Sequence, residues 1–169
     1  KDSGEVKGLI KYGLTQKGPI ALRYPKLKTK DMNTVEILNE DWQIEKVGSK
    51  GYIISYGPDV DRIMKIVEDN NLDISVINAR FIRPIDKNML DRLASEGKPI
   101  LVYEQVVQSS SLAMMITHYF VSKKYNTTII NSMAFDNNEI ITHGDITDVL
   151  DHYHMGDNDI YERVLEIWK

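Results

Sequence analysis

Residues 51–86, GYIISYGPDVDRIMKIVEDNNLDISVINARFIRPID, decide the fold. The short apolar run 52–55 ends at Tyr56-Gly57-Pro58, a strand leaving through a tight turn. Asp59 can cap a helix whose Val60, Ile63, Met64 and Val67 share one face. Asp69-Asn70-Asn71 breaks that helix, and Ile74, Val76 and Ile77 rebuild a strand. Strand, helix and strand in so short a span form a βαβ unit, whose crossover makes the strands parallel and the connection right-handed. Pro84 then forbids further ladder pairing, and Asp86 can cap the next helix with Ile85 and Leu90 as a hydrophobic staple.

Outward from that unit the pattern repeats. Residues 87–95 predict a helix with Met89, Leu90 and Leu93 inward, and 99–103 a third parallel strand. Ser109-Ser110-Ser111 precedes a helix with Leu112, Met115, Ile116, Tyr119 and Phe120 on one side, and any of the serines can cap it. The β-branched run 127–131 predicts the last strand. Two helices close the chain, one starting near Asp145 and one near Asp157. On the amino-terminal side, 42–47 predicts a strand that turns through Gly48-Ser49-Lys50-Gly51 into Tyr52. So short a turn implies an antiparallel hairpin and one reversed edge strand on an otherwise parallel sheet. The expected architecture is a three-layer α/β domain with a mixed, mostly parallel sheet of about five strands.

Earlier still, Ser3 can cap a helix reaching Thr15, in which Gly8 and Gly13 each cost roughly 1 kcal/mol, so the helix depends on a tertiary partner. Gly18-Pro19 leads into Ile20-Ala21-Leu22-Arg23, a short strand stopped by Pro25. This helix and strand read as the last edge of a preceding domain, and the polar stretch after them as a linker. The expected division is 1–26, 27–41 and 42–169.

The totals narrow the function. With 169 residues, 42% hydrophobic and 27% charged, the chain matches a soluble globular protein with one full core. A net charge of −4 and a pI near 5.6 argue against a nucleic-acid surface. The absence of cysteine excludes disulfides, thiol catalysis and thiolate metal sites. No apolar run approaches the ~18 residues of a membrane span. Lys1 in place of Met reads as a piece cut from a longer protein.

Candidate chemistry is sparse. His118 sits on a helix with a full apolar stripe and reads as a surface or partly buried histidine; His152 and His154 lack a carboxylate at ligand spacing. His143-Gly144-Asp145 joins a histidine, a flexible glycine and a helix cap at one turn, which suffices as structure. Glu104 lies at the carboxyl end of a parallel strand, where open α/β sheets place ligand crevices. The serines at 109–111 can cradle a phosphate at a helix N-terminus, though without glycines plain capping is favoured. Arg23-Tyr24-Pro25-Lys26 is either a phosphate clamp or a solvated basic turn, and spacing does not decide between them. There is no GxGxxG, Walker loop or Gly-x-Ser-x-Gly, so motif alone supports no complete active site.

Several stretches together resemble one family. Gly18-Pro19-Ile20-Ala21-Leu22-Arg23-Tyr24-Pro25-Lys26 is similar to the GPxAxRYPR segment of 1-deoxy-D-xylulose-5-phosphate synthases, and Arg80-Phe81-Ile82-Arg83-Pro84-Ile85-Asp86 to their RF-V-K/R-P-L-D segment. Glu104-Gln105 stands where that family has Glu-Glu, and His143-Gly144-Asp145 resembles its late HGD turn. The four occur in the family's order across nearly the whole chain. Transketolases and the beta subunits of 2-oxo-acid dehydrogenases share this C-terminal domain and are the neighbouring alternatives, as is a non-catalytic α/β binding or subunit module.

The resemblance implies a transketolase-like C-terminal domain behind the end of a pyrimidine-binding domain. The full-length protein would be a cytoplasmic homodimer using thiamine diphosphate and Mg²⁺. It would condense pyruvate with glyceraldehyde 3-phosphate to 1-deoxy-D-xylulose 5-phosphate and CO2, for isoprenoid precursors. The fragment alone would bind no cofactor, carry no catalytic residue or metal, and serve packing against the missing N-terminal and middle domains and dimerisation, with no nucleic-acid or membrane partner. Lys26 would contact the substrate phosphate, with Arg23 beside it, and Glu104 and His143 are candidate ligand or interface residues. Two departures stand out. Lys26 replaces an arginine, exchanging a bidentate fork for a point charge, and Gln105 with Ser109–Ser111 replaces a Glu and a GG-x-G-S run.

Overall fold

The computed structural model describes residues 1–25 and 30–168. Five strands form one sheet: β1 (Gln43–Lys46), β2 (Tyr52–Ser55), β3 (Ser75–Asn78), β4 (Ile100–Val107) and β5 (Ile130–Phe135), in the order β1-β3-β2-β4-β5. Six α-helices accompany them: α1 (Ser3–Leu14), α2 (Asp59–Asp69), α3 (Lys87–Glu96), α4 (Leu112–Lys123), α5 (Ile146–His152) and α6 (Asp157–Ile167). β3, β2, β4 and β5 run parallel and β1 is reversed at one edge.

Strand alternation makes the three layers. Ile54, Ile77, Ile100 and Val102 face one core with Leu90, Leu93, Ile116 and Phe120 of α3 and α4. Ile53, Val76, Leu101 and Tyr103 face the other with Ile63 of α2, Leu150 of α5 and Ile160 of α6. Both sides are covered, so the central strands are buried throughout: all four residues of β2 (YIIS) and of β3 (SVIN) are buried, with the polar Ser55, Ser75 and Asn78 at the strand ends.

The reversed edge strand is present, but the hairpin is not. β1 pairs with β3 instead of β2. The intervening turn passes over the start of β3, where Gly48 N donates to Ser75 Oγ at 2.9 Å and Lys50 N to Asp73 O at 3.0 Å. A Cβ at Gly48 would sit 2.4 Å from the Ile74 nitrogen, so only glycine permits the crossing.

Other expectations shift for local reasons. The cap of α1 is Asp2, whose carboxylate accepts from Glu5 N at 2.9 Å; Ser3 Oγ instead donates to Lys30 O and accepts from Met32 N. Pro58, not Asp59, occupies the cap position of α2, and the Asp59 side chain is engaged elsewhere. Residues 20–23 form no ladder, because no strand of the described residues lies beside them. The last strand begins at Ile130, not at Thr127: Lys124 ends α4 in a left-handed turn, and the chain reaches the sheet only afterwards. Among the serines, Ser111 is the cap of α4, accepting from Met114 N. Asp86 caps α3 as expected.

The tertiary partner of α1 is the segment just before β1. Val35 N donates to Gly4 O, and Cβ atoms at Gly4 and Gly8 would lie 2.4 and 2.2 Å from the carbonyl oxygens of Asn33 and Val35. Gly8, which weakens the helix, is therefore with Gly4 what lets this segment lie directly on it, while Gly13 faces the Ile20 side chain. Glu5 reaches the end of β3 by accepting from Asn78 Nδ2 at 2.6 Å, and Tyr12 stacks edge-on against Phe81.

Candidate functional site

Strand order reverses direction at β2: the chain leaves β2 for β3 on one side, and β4 lies on the other. Open α/β sheets open a crevice at the carboxyl ends of the strands flanking such a point. A cleft of about 770 Å3 occupies that place. One wall is Tyr56, Gly57 and Asp59 beyond β2 with Gln105 of β4; α5 and the start of α6 supply Thr147, Asp151 and Asp157. Arg23 and Tyr24 close it from the amino-terminal segment.

Two polar assemblies line the cleft. In the first, Arg23 lies beside the Tyr56 hydroxyl on the cleft lining, and that hydroxyl donates to Glu104 Oε2 at 3.2 Å. Burial, then the charge of Glu104, pushes the Tyr56 hydroxyl up to about 12, so it stays protonated and remains a donor. Glu104 is 2% exposed, and its two oxygens accept from Leu112 N at 2.8 Å and Ala113 N at 3.0 Å. The carboxylate is thus consumed by the N-terminus of α4, where the helix dipole favours a negative charge. The second assembly centres on Arg62 of α2. Its guanidinium donates to Tyr103 Oη at 2.8 Å, to Met155 O at 2.9 Å and to Asp157, and lies 3.5 Å from Asp59. Gln105 Nε2 donates to both Asp59 oxygens at 2.9 and 3.1 Å. Burial raises the Asp59 carboxyl above its usual range, against the opposing pull of Arg62 and Gln105.

Of the residues singled out from the sequence, the structure puts Arg23 on the cleft and Glu104 beneath its wall. His143 is exposed in the loop before α5 and outside the cleft lining. Lys26 lies outside the described residues. Sequence reasoning missed Tyr56, Arg62 and Gln105 as cleft residues. The spacing of Asp59 and Arg62, three apart on a helix, was a visible signal; the approach of Arg62 to Asp157, 95 positions later, was not.

With Arg62 held by Asp157, Tyr103 and Met155, Arg23 is the cation in the described lining left to meet an anionic ligand. The residues do not fit a diphosphate–metal group. Among the described residues no three histidine or acidic side chains converge to hold a metal ion. Asp145 is spent capping α5 through Thr147 N, and Asp157 is engaged by Arg62. Nor, among the described residues, is any helix long and apolar enough to cross a membrane.

Comparison with known proteins agrees with this geometry. The family model "Transketolase, C-terminal domain" matches residues 40–160. A 1-deoxy-D-xylulose-5-phosphate synthase of Lysinibacillus sphaericus is 30% identical over 172 positions, covering 97% of this chain and 27% of its own length. The synthase of Clostridium tetani is 30% identical over 169 positions, covering 96% and 27%. The chain thus spans about a quarter of the length of the curated relatives it matches. Among solved structures, a split-gene transketolase described as an inactive beta4 tetramer superposes with a TM-score of 0.81 at 15% identity, over 99% of this chain and 56% of that one. A transketolase variant from Pichia stipitis superposes with 0.51 at 14% identity, over 76% and 18%. These likenesses extend the fold to 99% of the chain, and the match over 40–160 spans every strand and reaches into α6: the chain belongs to the transketolase C-terminal domain family.

Proposed function

We propose that this chain is the C-terminal part of a thiamine-diphosphate-dependent synthase that condenses pyruvate with glyceraldehyde 3-phosphate, giving 1-deoxy-D-xylulose 5-phosphate and CO2. The observation that carries the reading is the 30% identity to synthases of that name over 97% of the chain. In this reading residues 1–26 end a preceding pyrimidine-binding domain, 27–41 link, and 42–169 form the C-terminal domain of a cytoplasmic homodimer. Thiamine diphosphate and Mg²⁺ belong in this reading to domains outside this chain; of its own acidic groups, Asp157 is engaged by Arg62 and Asp145 caps α5. The chain's contribution to chemistry is Arg23, aimed at the cleft, together with Lys26, as contacts for the phosphate of the acceptor. Glu104 sets the cleft wall through Tyr56, and His143 is left as an interface residue. The encoded full-length protein, given both substrates, thiamine diphosphate and Mg²⁺, should release CO2 only when both substrates are present and form a five-carbon ketose phosphate. Absence of that product from well-folded protein overturns the reading.

A second reading is a separately encoded, non-catalytic subunit. It is favoured by the way α1 and residues 33–37 pack onto the domain as an integral part of it. The best-superposing structure named above is itself described as a split-gene product. Reading the gene upstream of Lys1 separates the two: an in-frame Gly-Asp-Gly…Asn motif supports the synthase, and a stop codon supports the subunit.

A further inference from the structure

Arg23 and Arg62 reach the same cleft and are held in opposite ways. Arg62 stands on α2, and its guanidinium donates to Asp157 and lies 3.5 Å from Asp59, so two carboxylates answer its charge. Arg23 forms no ion pair among the described residues. Its backbone gives it no fixed direction either: residues 19–25 belong to no helix or strand, and all but Leu22 are exposed. What lies beside it is the Tyr56 hydroxyl. Tyr56 does have a fixed direction. It follows β2 directly, and its ring packs against the core that α3 and α4 cover. Its hydroxyl proton goes to Glu104 Oε2 at 3.2 Å, and Glu104 is itself clamped by Leu112 N and Ala113 N.

We propose that Tyr56 is a positioning residue for the acceptor phosphate: its hydroxyl oxygen fixes the Arg23 guanidinium at the cleft. The inference rests on the function proposed above, and within it on Arg23 as a phosphate contact. A phenol whose proton is committed to a carboxylate keeps its lone pairs for a donor, and the polarised O–H makes them better acceptors. Tyr56 therefore offers Arg23 an acceptor that carries no charge. A carboxylate in that place would hold the guanidinium more firmly but neutralise it, as Asp157 does for Arg62. A neutral acceptor occupies one part of the five-donor fork and leaves the rest, with the full positive charge, for a phosphate. An acceptor without a phosphate makes no use of Arg23, so the tyrosine hydroxyl counts only for the phosphorylated one.

The test is the preference of the full-length protein for glyceraldehyde 3-phosphate over unphosphorylated glyceraldehyde. It is read as the ratio of the two kcat/KM values, with pyruvate, thiamine diphosphate and Mg²⁺ in excess. Tyr56→Phe keeps the packed ring and should lower that ratio roughly 3- to 10-fold, mainly through KM for the phosphorylated acceptor, as expected for one hydrogen bond. Arg23→Ala should lower it further. Tyr56→Phe added to Arg23→Ala should lower it no more, because the tyrosine acts through the arginine. A merely structural tyrosine would depress both acceptors alike and leave the ratio unmoved. An unchanged ratio in Tyr56→Phe, or losses that add in the double variant, overturns the inference and spares the synthase. An unchanged ratio in Arg23→Ala removes the phosphate contact and the inference with it, again leaving the synthase reading intact. Wild-type protein that forms no ketose phosphate overturns both.

Discussion

Asp86 offers the sharpest test of how the fold is held. Its carboxylate, 8% exposed, makes two bonds that serve different parts of the chain. Oδ1 accepts from Met89 N at 2.9 Å and caps α3, and Oδ2 accepts from Trp42 N at 2.8 Å, 44 positions earlier. Trp42 is itself buried and donates through its indole to Phe81 O at 2.8 Å. Asp86→Ala removes the cap, costing about 1 kcal/mol. It also strands the Trp42 N–H in the interior, costing about 1–3 kcal/mol more. A total near 3 kcal/mol should lower Tm by roughly 6–12 °C in a chain of this size. Asp86→Asn keeps a good cap but turns an amide donor towards Trp42 N–H, so its loss should fall between wild type and alanine. Urea unfolding followed by tryptophan fluorescence measures both, with the midpoint falling and the slope unchanged. If the alanine variant loses 1 kcal/mol or less, the bond to Trp42 contributes nothing and the account is wrong. If asparagine is as damaging as alanine, the cap and the Trp42 bond are not separable as argued.

The other predictions concern α1, the acid limb of stability and the substrate contact. Gly8→Ala should destabilise the chain by more than ~1 kcal/mol by thermal melting, although helix propensity alone favours alanine by about that amount, because the new Cβ meets Val35 O at 2.2 Å; a rise in Tm would show that residues 33–37 do not press on α1. Glu96 is held down to about 2 from its ordinary 4.5, first by the Tyr52 hydroxyl and then by Lys98. A lowered folded pKa means its contribution is complete above about 4.5 and lost as pH falls through about 2. Glu96→Gln should therefore flatten the acid limb of a Tm–pH profile and leave the profile above pH 6 parallel to wild type. Under the proposed function, Lys26→Ala in the full-length protein should weaken use of the phosphorylated acceptor roughly 10- to 100-fold, the loss of a charge-assisted hydrogen bond of about 1.5–3 kcal/mol. Lys26→Arg should be tolerated, and an alanine variant with normal acceptor kinetics would return Lys26 to a solvated linker.

The βαβ unit was legible because its signals are local: an apolar run, a Gly-Pro turn, a helical stripe and a second run within residues 51–86. The three layers followed from the same periodicity. What was not legible depended on contacts between distant residues. The turn 48–51 has the length of a hairpin, and nothing in it shows that the chain passes over the start of β3. Gly8 reads as a defect until residues 33–35 are seen lying on it and on Gly4. Asp59 looked like a cap because caps are local, while its partners are Gln105 and Arg62 on the cleft wall. In the candidate site the same rule holds: Glu104 was singled out from a strand expected to end at 103, but β4 runs on to Val107, and its role was not legible because its donors lie on α4 and at Tyr56.

Glu104 also ties the cleft to α4. A carboxylate with three donors and 2% exposure is fixed in one orientation, so the start of α4 is fixed relative to β4. The Tyr56 hydroxyl that completes its shell faces the cleft and carries Arg23 on its outer side. The Tyr56 hydroxyl beside Arg23 and the start of α4 are therefore positioned by the same buried group. Its neighbours explain why the family's second carboxylate can be Gln105 here. Asp59 is already a buried acid with Asp157 near it, and an additional carboxylate at 105 would face that charge in place of donating two hydrogen bonds to it. With glutamine the cleft wall closes on a satisfied amide–carboxylate pair, and Arg62 is left free to hold α6 against α2.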